Sequence, residues 1–108
     1  MTTARRTYRL GSVDLIPAGE GRMFRLPERA IAVFRTRSGQ VYATDPRCPH
    51  RSGPLADSII GERLIICPLH AYKFELASGQ PLGNDCPPIQ TYPVTMTADG
   101  EIAVEVPT

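Results

Sequence analysis

Long apolar segments are missing from this chain. The longest apolar run near its most distinctive residues, Leu64-Ile65-Ile66-Cys67, is far shorter than the roughly 20 residues that a membrane-spanning helix needs. Arg5-Arg6 is followed by polar and charged residues, whereas an export signal continues into an apolar stretch. We therefore expect a protein that is not associated with a membrane and that works in the cytoplasm.

The net charge is also small, +1 at pH 7, so we expect no nucleic-acid partner, because phosphate binding needs a strongly basic surface. The charge is unevenly distributed. Residues 1–51 hold ten arginines and four acidic residues, a net +6, and residues 52–108 hold two basic and seven acidic residues, a net −5. These charges mix if strands of both halves pair in one sheet. The alternative is an asymmetric face that steers a redox partner.

A chain of 108 residues has room for one domain with a single modest core. Eleven prolines, nine glycines and no long helical periodicity indicate many turns and an all-β fold. Ser38-Gly39 and Asp99-Gly100 are typical of hairpin turns. Short β-rich segments between turn signals predict these strands: Thr7–Leu10, Arg22–Leu26, Ala30–Thr36, Gln40–Thr44, Arg63–Ile66, Tyr72–Glu75, Thr91–Thr97 and Glu101–Val106.

Metal-binding residue types are few but concentrated. Cys48-Pro49-His50 and Cys67-Pro68-Leu69-His70 use both histidines and two of the three cysteines, with sixteen residues between the clusters. Each cluster supplies one sulfur and one nitrogen. This suits a Rieske centre, in which two cysteines hold one iron and two histidines hold the other. A tetrahedral zinc site uses the same residue types, but familiar zinc modules pair Cys with Cys and His with His.

The residues around the ligands extend the pattern. Cys-Pro-His-Arg-Ser-Gly-Pro-Leu at 48–55, Cys-Pro-Leu-His at 67–70 and Phe-Glu-Leu-Ala-Ser-Gly at 74–79 together resemble the double signature of Rieske ferredoxin-type proteins. The resemblance implies a single domain over residues 1–108, built as an antiparallel β-sandwich with a small cluster-binding subdomain, about 45–75, formed by two loops. It also implies that one [2Fe–2S] cluster is bound by four ligands: Cys48, His50, Cys67 and His70.

Three functions are compatible with these observations. The segments 11–21, 31–36 and 91–94 resemble the small subunit of assimilatory NAD(P)H nitrite reductase, which implies a flavin/siroheme large subunit as partner in the reduction of nitrite to ammonium during nitrate assimilation. The alternative is a stand-alone ferredoxin that works between a reductase and a ring-hydroxylating dioxygenase or similar oxygenase. A structural zinc-binding interaction module is the hypothesis from another class.

The chain lacks a glycine-rich nucleotide loop and an activated nucleophile beside a base. We therefore assign no catalytic residue and expect an electron-transfer protein or redox subunit rather than a complete catalyst. The resemblance makes His50 and His70 the exposed edge through which the electron passes. Cys86 lies outside the ligand pattern, and we interpret it as a structural cysteine.

High-potential members of the family carry an extra cysteine in each ligand loop and join the loops by a disulfide. The corresponding positions here resemble Gly53 and Leu69, so no such bridge forms. Those members also place a serine two residues, and a tyrosine four residues, after the second histidine. Here these positions hold Tyr72 and Phe74, so two hydrogen-bond donors that stabilise the reduced cluster are missing.

We accordingly expect a reduction potential near the low end of the Rieske range, about −150 mV. Hydrogen bonds to the cluster sulfurs and burial tune this potential, and the chain lacks the donors that raise it. A redox titration followed by optical spectroscopy measures the value directly. A midpoint in the upper half of the Rieske range would contradict the inference from Tyr72 and Phe74.

Overall fold

The computed structural model describes residues 5–47, 55–67 and 72–107. Within these ranges the chain forms eleven strands and two short 3-10 turns, Val13–Leu15 and Leu55–Asp57. The described residues contain no helix with the length and apolarity to cross a membrane. The strands are β1 (Arg5–Ser12), β2 (Glu20–Arg25), β3 (Ala30–Arg35), β4 (Val41–Thr44), β5 (Ile59–Ile60), β6 (Leu64–Ile66), β7 (Lys73–Glu75), β8 (Pro81–Leu82), β9 (Thr91–Tyr92), β10 (Val94–Met96) and β11 (Glu101–Pro107).

The strands form three antiparallel sheets. The first has the order β1-β11-β10, the second β2-β3-β4-β9 and the third β5-β6-β7-β8. The first sheet pairs β1 with β11, so it joins the two halves of the chain. Arg9 Nη1 consequently lies 3.7 Å from Glu101 Oε1. In this sheet the basic and acidic halves therefore mix, as the first of the two charge interpretations expects.

The chain passes from one sheet to another at Pro93. β9 pairs with β4 in the second sheet, whereas β10 pairs with β11 in the first. Proline has no N–H for a ladder hydrogen bond, but its carbonyl accepts the Glu105 N–H at 2.9 Å. The single strand predicted over Thr91–Thr97 was therefore wrong, since the segment forms two short strands in different sheets.

Strand β3 is buried on both faces. Ile31 and Val33 belong to one core cluster, and Ala32 and Phe34 belong to another, all with 0% exposure. A strand covered on both sides is apolar without alternation, as residues 30–34 are. The chain thus has two cores separated by the second sheet, and the expectation of a single core was wrong.

The first core joins the first and second sheets as a β-sandwich, which confirms the predicted all-β antiparallel fold class. Its buried members are Ile16, Leu26, Ile31, Val33, Ala43, Tyr92, Ile102, Val104 and Val106. The second core lies between the second and third sheets. Its buried members are Ala32, Phe34, Leu55, Ile65, Cys67, Phe74, Leu76 and Ile89.

The third sheet carries the segments that the sequence assigned to metal binding. Its strands β6 and β7 lie at or within the predicted strands Arg63–Ile66 and Tyr72–Glu75. The sequence did not predict β5 or β8, which flank them and have two residues each. Because β8 ends at Leu82, the sheet extends past residue 75, the predicted end of the cluster-binding part.

Gly79 allows the chain to pass close to the segment before β9. Its φ is +77°, and a Cβ at this position would lie 1.9 Å from the Ile89 carbonyl oxygen. The Gly79 N–H donates to the Glu75 carbonyl at 2.7 Å, and its carbonyl accepts the Ile89 N–H at 2.8 Å. Only glycine satisfies both the left-handed backbone and this close approach.

Gly79→Ala is expected to lower the free energy of unfolding by about 3 kcal/mol, because left-handed backbone and overpacking each cost roughly 1–3 kcal/mol. Gly100→Ala is the matched control. Gly100 has a φ of +79° but no atom within 4 Å of an added Cβ, so only the conformational part, about 1 kcal/mol, is lost. Urea denaturation measures both values. Equal losses would show that the contact with Ile89 does not matter.

Candidate metal centre

The two predicted ligand loops are closed at their bases by backbone hydrogen bonds. The Leu55 N–H donates to the Pro46 carbonyl at 2.9 Å across the first loop. The Cys67 N–H donates to the Tyr72 carbonyl at 2.8 Å across the second. Each bond joins the residues at which a loop leaves and re-enters the described framework, so the ends of both loops are fixed.

Cys67 is the predicted ligand that the structure places. It follows β6 directly and is 1% exposed, within the second core. Leu55, the last residue of the first loop, is buried in the same core, as is Phe74 of β7. A buried thiol beside the closed bases of two loops suits a soft-metal group that is held partly out of water. The described residues therefore fit an iron–sulfur cluster.

The other predicted ligands, Cys48, His50 and His70, lie outside the described residues. The expected roles of Gly53 and Leu69 do so as well. The structure therefore brings the attachment points of both loops to one core, and the ligand set stays a prediction.

The two positions that bear on the reduction potential are described. Phe74 is fully buried in the second core, and Tyr72 is half-buried and packs against that core. The Phe74 ring is part of the apolar packing around Cys67 and carries no hydroxyl group. Cys86 is half-buried, and its side chain packs against the second core, which agrees with the interpretation of a structural cysteine.

A polar network that the sequence did not indicate lies at the start of the first loop. The Tyr92 hydroxyl donates to Asp45 Oδ1 and accepts from Arg29 Nη1 at 3.0 Å. The guanidinium carbon of Arg29 lies 5.5 Å from the centre of the Tyr92 ring, and Arg29 Nη2 donates to the Pro107 carbonyl at 3.1 Å. The network connects the turn before β3, β9 and the C-terminal strand to the residue before Pro46.

A second contact ties the third sheet to the framework. Glu62, in the turn between β5 and β6, accepts the N–H groups of Arg37 at 3.0 Å and Ser38 at 3.3 Å. Hydrogen bonding from Ser38 is the main cause that lowers the pKa of Glu62 below its ordinary value. The carboxylate thus holds the β3–β4 turn against the β5–β6 turn. No sequence signal pointed to it, because Glu62 is far from Arg37 along the chain.

Comparison with known proteins gives one family over nearly the whole chain. The sequence profile of the Rieske-like [2Fe-2S] domain matches residues 8–105. The ferredoxin component of the naphthalene 1,2-dioxygenase/salicylate 5-hydroxylase systems of Ralstonia sp is 35% identical over 86 residues, which cover 76% of this chain and 79% of the relative.

Solved structures are similar over almost their full lengths. The Sphingomonas yanoikuyae B1 ferredoxin is 33% identical, with a TM-score of 0.81 and coverage of 94% of this chain and 100% of the ferredoxin. A Mycobacterium tuberculosis chain described as an NADH-dependent nitrite reductase small subunit has a TM-score of 0.88 and covers 97% of this chain and 98% of its own length. Its identity is 22%, so it supports the fold alone.

The network at Tyr92 predicts a pH dependence of stability. Burial, followed by the hydrogen bond to the Asp45 carboxylate, raises the pKa of Tyr92 above its ordinary value of 10.0. Stability from this group is therefore fully present below pH 10 and is lost as pH rises through the higher folded-state pKa. Urea unfolding at pH 8 and at several pH values above 10 is expected to show this loss. Tyr92→Phe should reduce the loss and lower stability at pH 8 by about 1–2 kcal/mol. An unchanged alkaline slope in Tyr92→Phe would contradict the assignment.

Proposed function

This chain belongs to the family of Rieske-like [2Fe-2S] domains, and we propose that it is the ferredoxin component of an oxygenase system. The domain takes one Rieske-type [2Fe–2S] cluster and transfers electrons. In the proposed role the chain receives electrons from a reductase component and delivers them to an oxygenase component that acts on an aromatic or similarly apolar compound.

The identity of about one third with a dioxygenase ferredoxin component, over most of both chains, carries this proposal. The stand-alone ferredoxin of Sphingomonas yanoikuyae B1 supports it, since it is matched over its full length at a similar identity. These relatives move the oxygenase role, which the sequence alone ranked second, to first place.

The small subunit of an assimilatory nitrite reductase is the second candidate. It is supported by the resemblance of the flanking segments to that subunit and by the nearly complete overlap with the Mycobacterium tuberculosis chain. In that role the partner is a flavin/siroheme large subunit. The low identity of this match means that it supports the fold, and the role itself depends on the sequence resemblance.

We further propose that Cys48 and Cys67 hold one iron and that His50 and His70 hold the other. The burial of Cys67 beside the ends of both loops supports this assignment. When bound, the cluster supplies a site that accepts and gives up one electron. The chain contributes a dry apolar surround at Cys67, fixed loop ends at Pro46 and Tyr72, and no group that performs acid–base or nucleophilic chemistry in the role proposed here.

The ligand assignment predicts opposite results for two cysteines. Cys67→Ser is expected to abolish the rhombic EPR signal of the dithionite-reduced protein and to lower bound iron from two atoms per chain. Cys86→Ser is the matched control, since Cys86 packs against the same core but lies outside the ligand pattern, and it should keep both. Iron and zinc analysis of the same samples tests the zinc hypothesis, because one zinc and no iron per wild-type chain would refute electron transfer.

Reconstitution tests the proposed role. The chain is added to NADH and to the reductase and oxygenase components of a naphthalene 1,2-dioxygenase system from which the native ferredoxin is omitted. Restored dihydroxylation that scales with added chain is expected. In parallel, the chain is added to a flavin/siroheme nitrite reductase large subunit. Stimulated ammonium formation together with no effect on the oxygenase system would replace the first role by the second.

A further inference from the structure

The outer face of the third sheet is unusually apolar. Register pairs Ile59 with Ile66, Ile66 with Lys73, and Lys73 with Leu82. Paired residues point to the same side of a sheet, so these four side chains form one row across all four strands. We call it the Ile59–Leu82 row. With neighbouring strands about 4.8 Å apart, it is about 14 Å long.

The row faces solvent. The next residues along each strand, Ile60, Ile65, Phe74 and Pro81, are paired in the opposite row, and Ile65 and Phe74 of that row are buried in the second core. The Ile59–Leu82 row therefore points outward. Ile59 is 72% exposed and Leu82 is 41% exposed.

An outward face of an antiparallel sheet normally carries polar side chains. Here three of the four residues in the row are apolar, and half-buried Leu64 of β6 adds a further apolar side chain on the same face. A contiguous exposed apolar face with a polar rim is typical of a protein interaction site. The row also follows the chain directly into Cys67 and out of Tyr72, at the base of the second ligand loop.

Lys73 sets the charge of this face. It is the only lysine of the chain, it is exposed, and the salt bridges found among the described residues do not include it. Glu75, the acidic residue on the same face, accepts a hydrogen bond from the Ser78 hydroxyl at 2.6 Å. A partner surface that fits is apolar and offers a carboxylate to Lys73. A second copy of the chain fits poorly, because a two-fold contact centred on the row places Lys73 near its own copy.

We propose that the Ile59–Leu82 row is the docking face for a protein redox partner whose contact surface is apolar and carries a carboxylate opposite Lys73. This inference deepens the proposed function and depends on it for the nature of the partner. Docking on this face holds the partner beside the base of the second loop, while Lys73 fixes its orientation.

Two sets of variants test the face. Ile59→Glu combined with Leu82→Glu is expected to slow electron transfer to the partner about tenfold or more, because apolar anchors dominate interface energy. Met23→Glu combined with Met96→Glu is the control, since these residues are 56% and 43% exposed on the second and first sheets, and it should change the rate less than about twofold. The EPR signal and midpoint potential of all variants should equal those of the wild type.

The single lysine permits a chemical test. A carbodiimide condenses an amine with a carboxylate, so the partner should be joined to Lys73, and mass spectrometry identifies the linked peptide. Lys73→Arg keeps the charge but forms no such amide; it should transfer electrons at nearly the wild-type rate and lose the cross-link. Lys73→Glu should slow transfer at low salt and approach the wild-type rate at high salt, because screening removes the charge repulsion.

Two probes are used: the oxygenase component of a naphthalene 1,2-dioxygenase system and a flavin/siroheme nitrite reductase large subunit. Stopped-flow mixing with the reduced chain gives the rates. Slow transfer by the Ile59/Leu82 variant, with a Lys73 cross-link, supports the docking face. Wild-type rates in that variant, or no Lys73 cross-link to either probe, overturn it.

The docking face and the proposed function can fail separately. If the wild type reduces neither probe, the proposed function fails, and the cross-link alone decides: a Lys73 cross-link that the Ile59/Leu82 variant loses supports the face, and its absence overturns the face. Sedimentation is measured on the same variants. A wild-type dimer that the Ile59/Leu82 variant loses identifies a second copy as the occupant and overturns the proposal.

Discussion

Strand β3 has to be apolar on both faces, because Ile31 and Val33 face the sandwich while Ala32 and Phe34 face the third sheet. Burying an aliphatic or aromatic side chain of this size stabilises a fold by roughly 1.5–3 kcal/mol, and a polar group here is left without a hydrogen-bond partner at a comparable or larger penalty. The neighbouring strand is constrained in turn. A Cβ on Gly21 would lie 2.6 Å from the Phe34 ring, so glycine at this position of β2 gives Phe34 its space.

The second core is what connects the metal-binding part to this framework. It contains the end of the first loop, Leu55, and the start of the second, Cys67, so packing alone fixes where the two loops begin and end. Two polar contacts act at other points: the Asp45 carboxylate with Tyr92 and Arg29, and Glu62 with the β3–β4 turn. A small domain with two modest cores gains little from each, and a cluster bound only by the folded chain adds its binding energy to folding.

The sequence predicted the fold class, the position of both loops and the main strands, because these depend on local patterns. The Cys/His pairs and the strand pattern around Arg63–Ile66 and Tyr72–Glu75 are each contained in a few residues. The sequence did not show β5 and β8, since strands of two residues have no measurable periodicity. It did not show the contact between Asp45 and Tyr92 either, because these residues are 47 positions apart and each is unremarkable alone. Pro93 was visible, but whether a proline ends a strand or moves it to another sheet depends on which partner strands lie nearby.

The bonds that close the two loops are formed by main-chain atoms only: Leu55 N–H with the Pro46 carbonyl, and Cys67 N–H with the Tyr72 carbonyl. No side chain takes part in them, so substitutions inside the loops leave these attachments in place, and only proline at residue 55 or 67 removes a donor. Pro46 is compatible with its position because it acts as an acceptor. The framework therefore works as a mount with two sockets, into which loops of different composition can be transplanted to vary redox properties without redesigning the sheets that carry them.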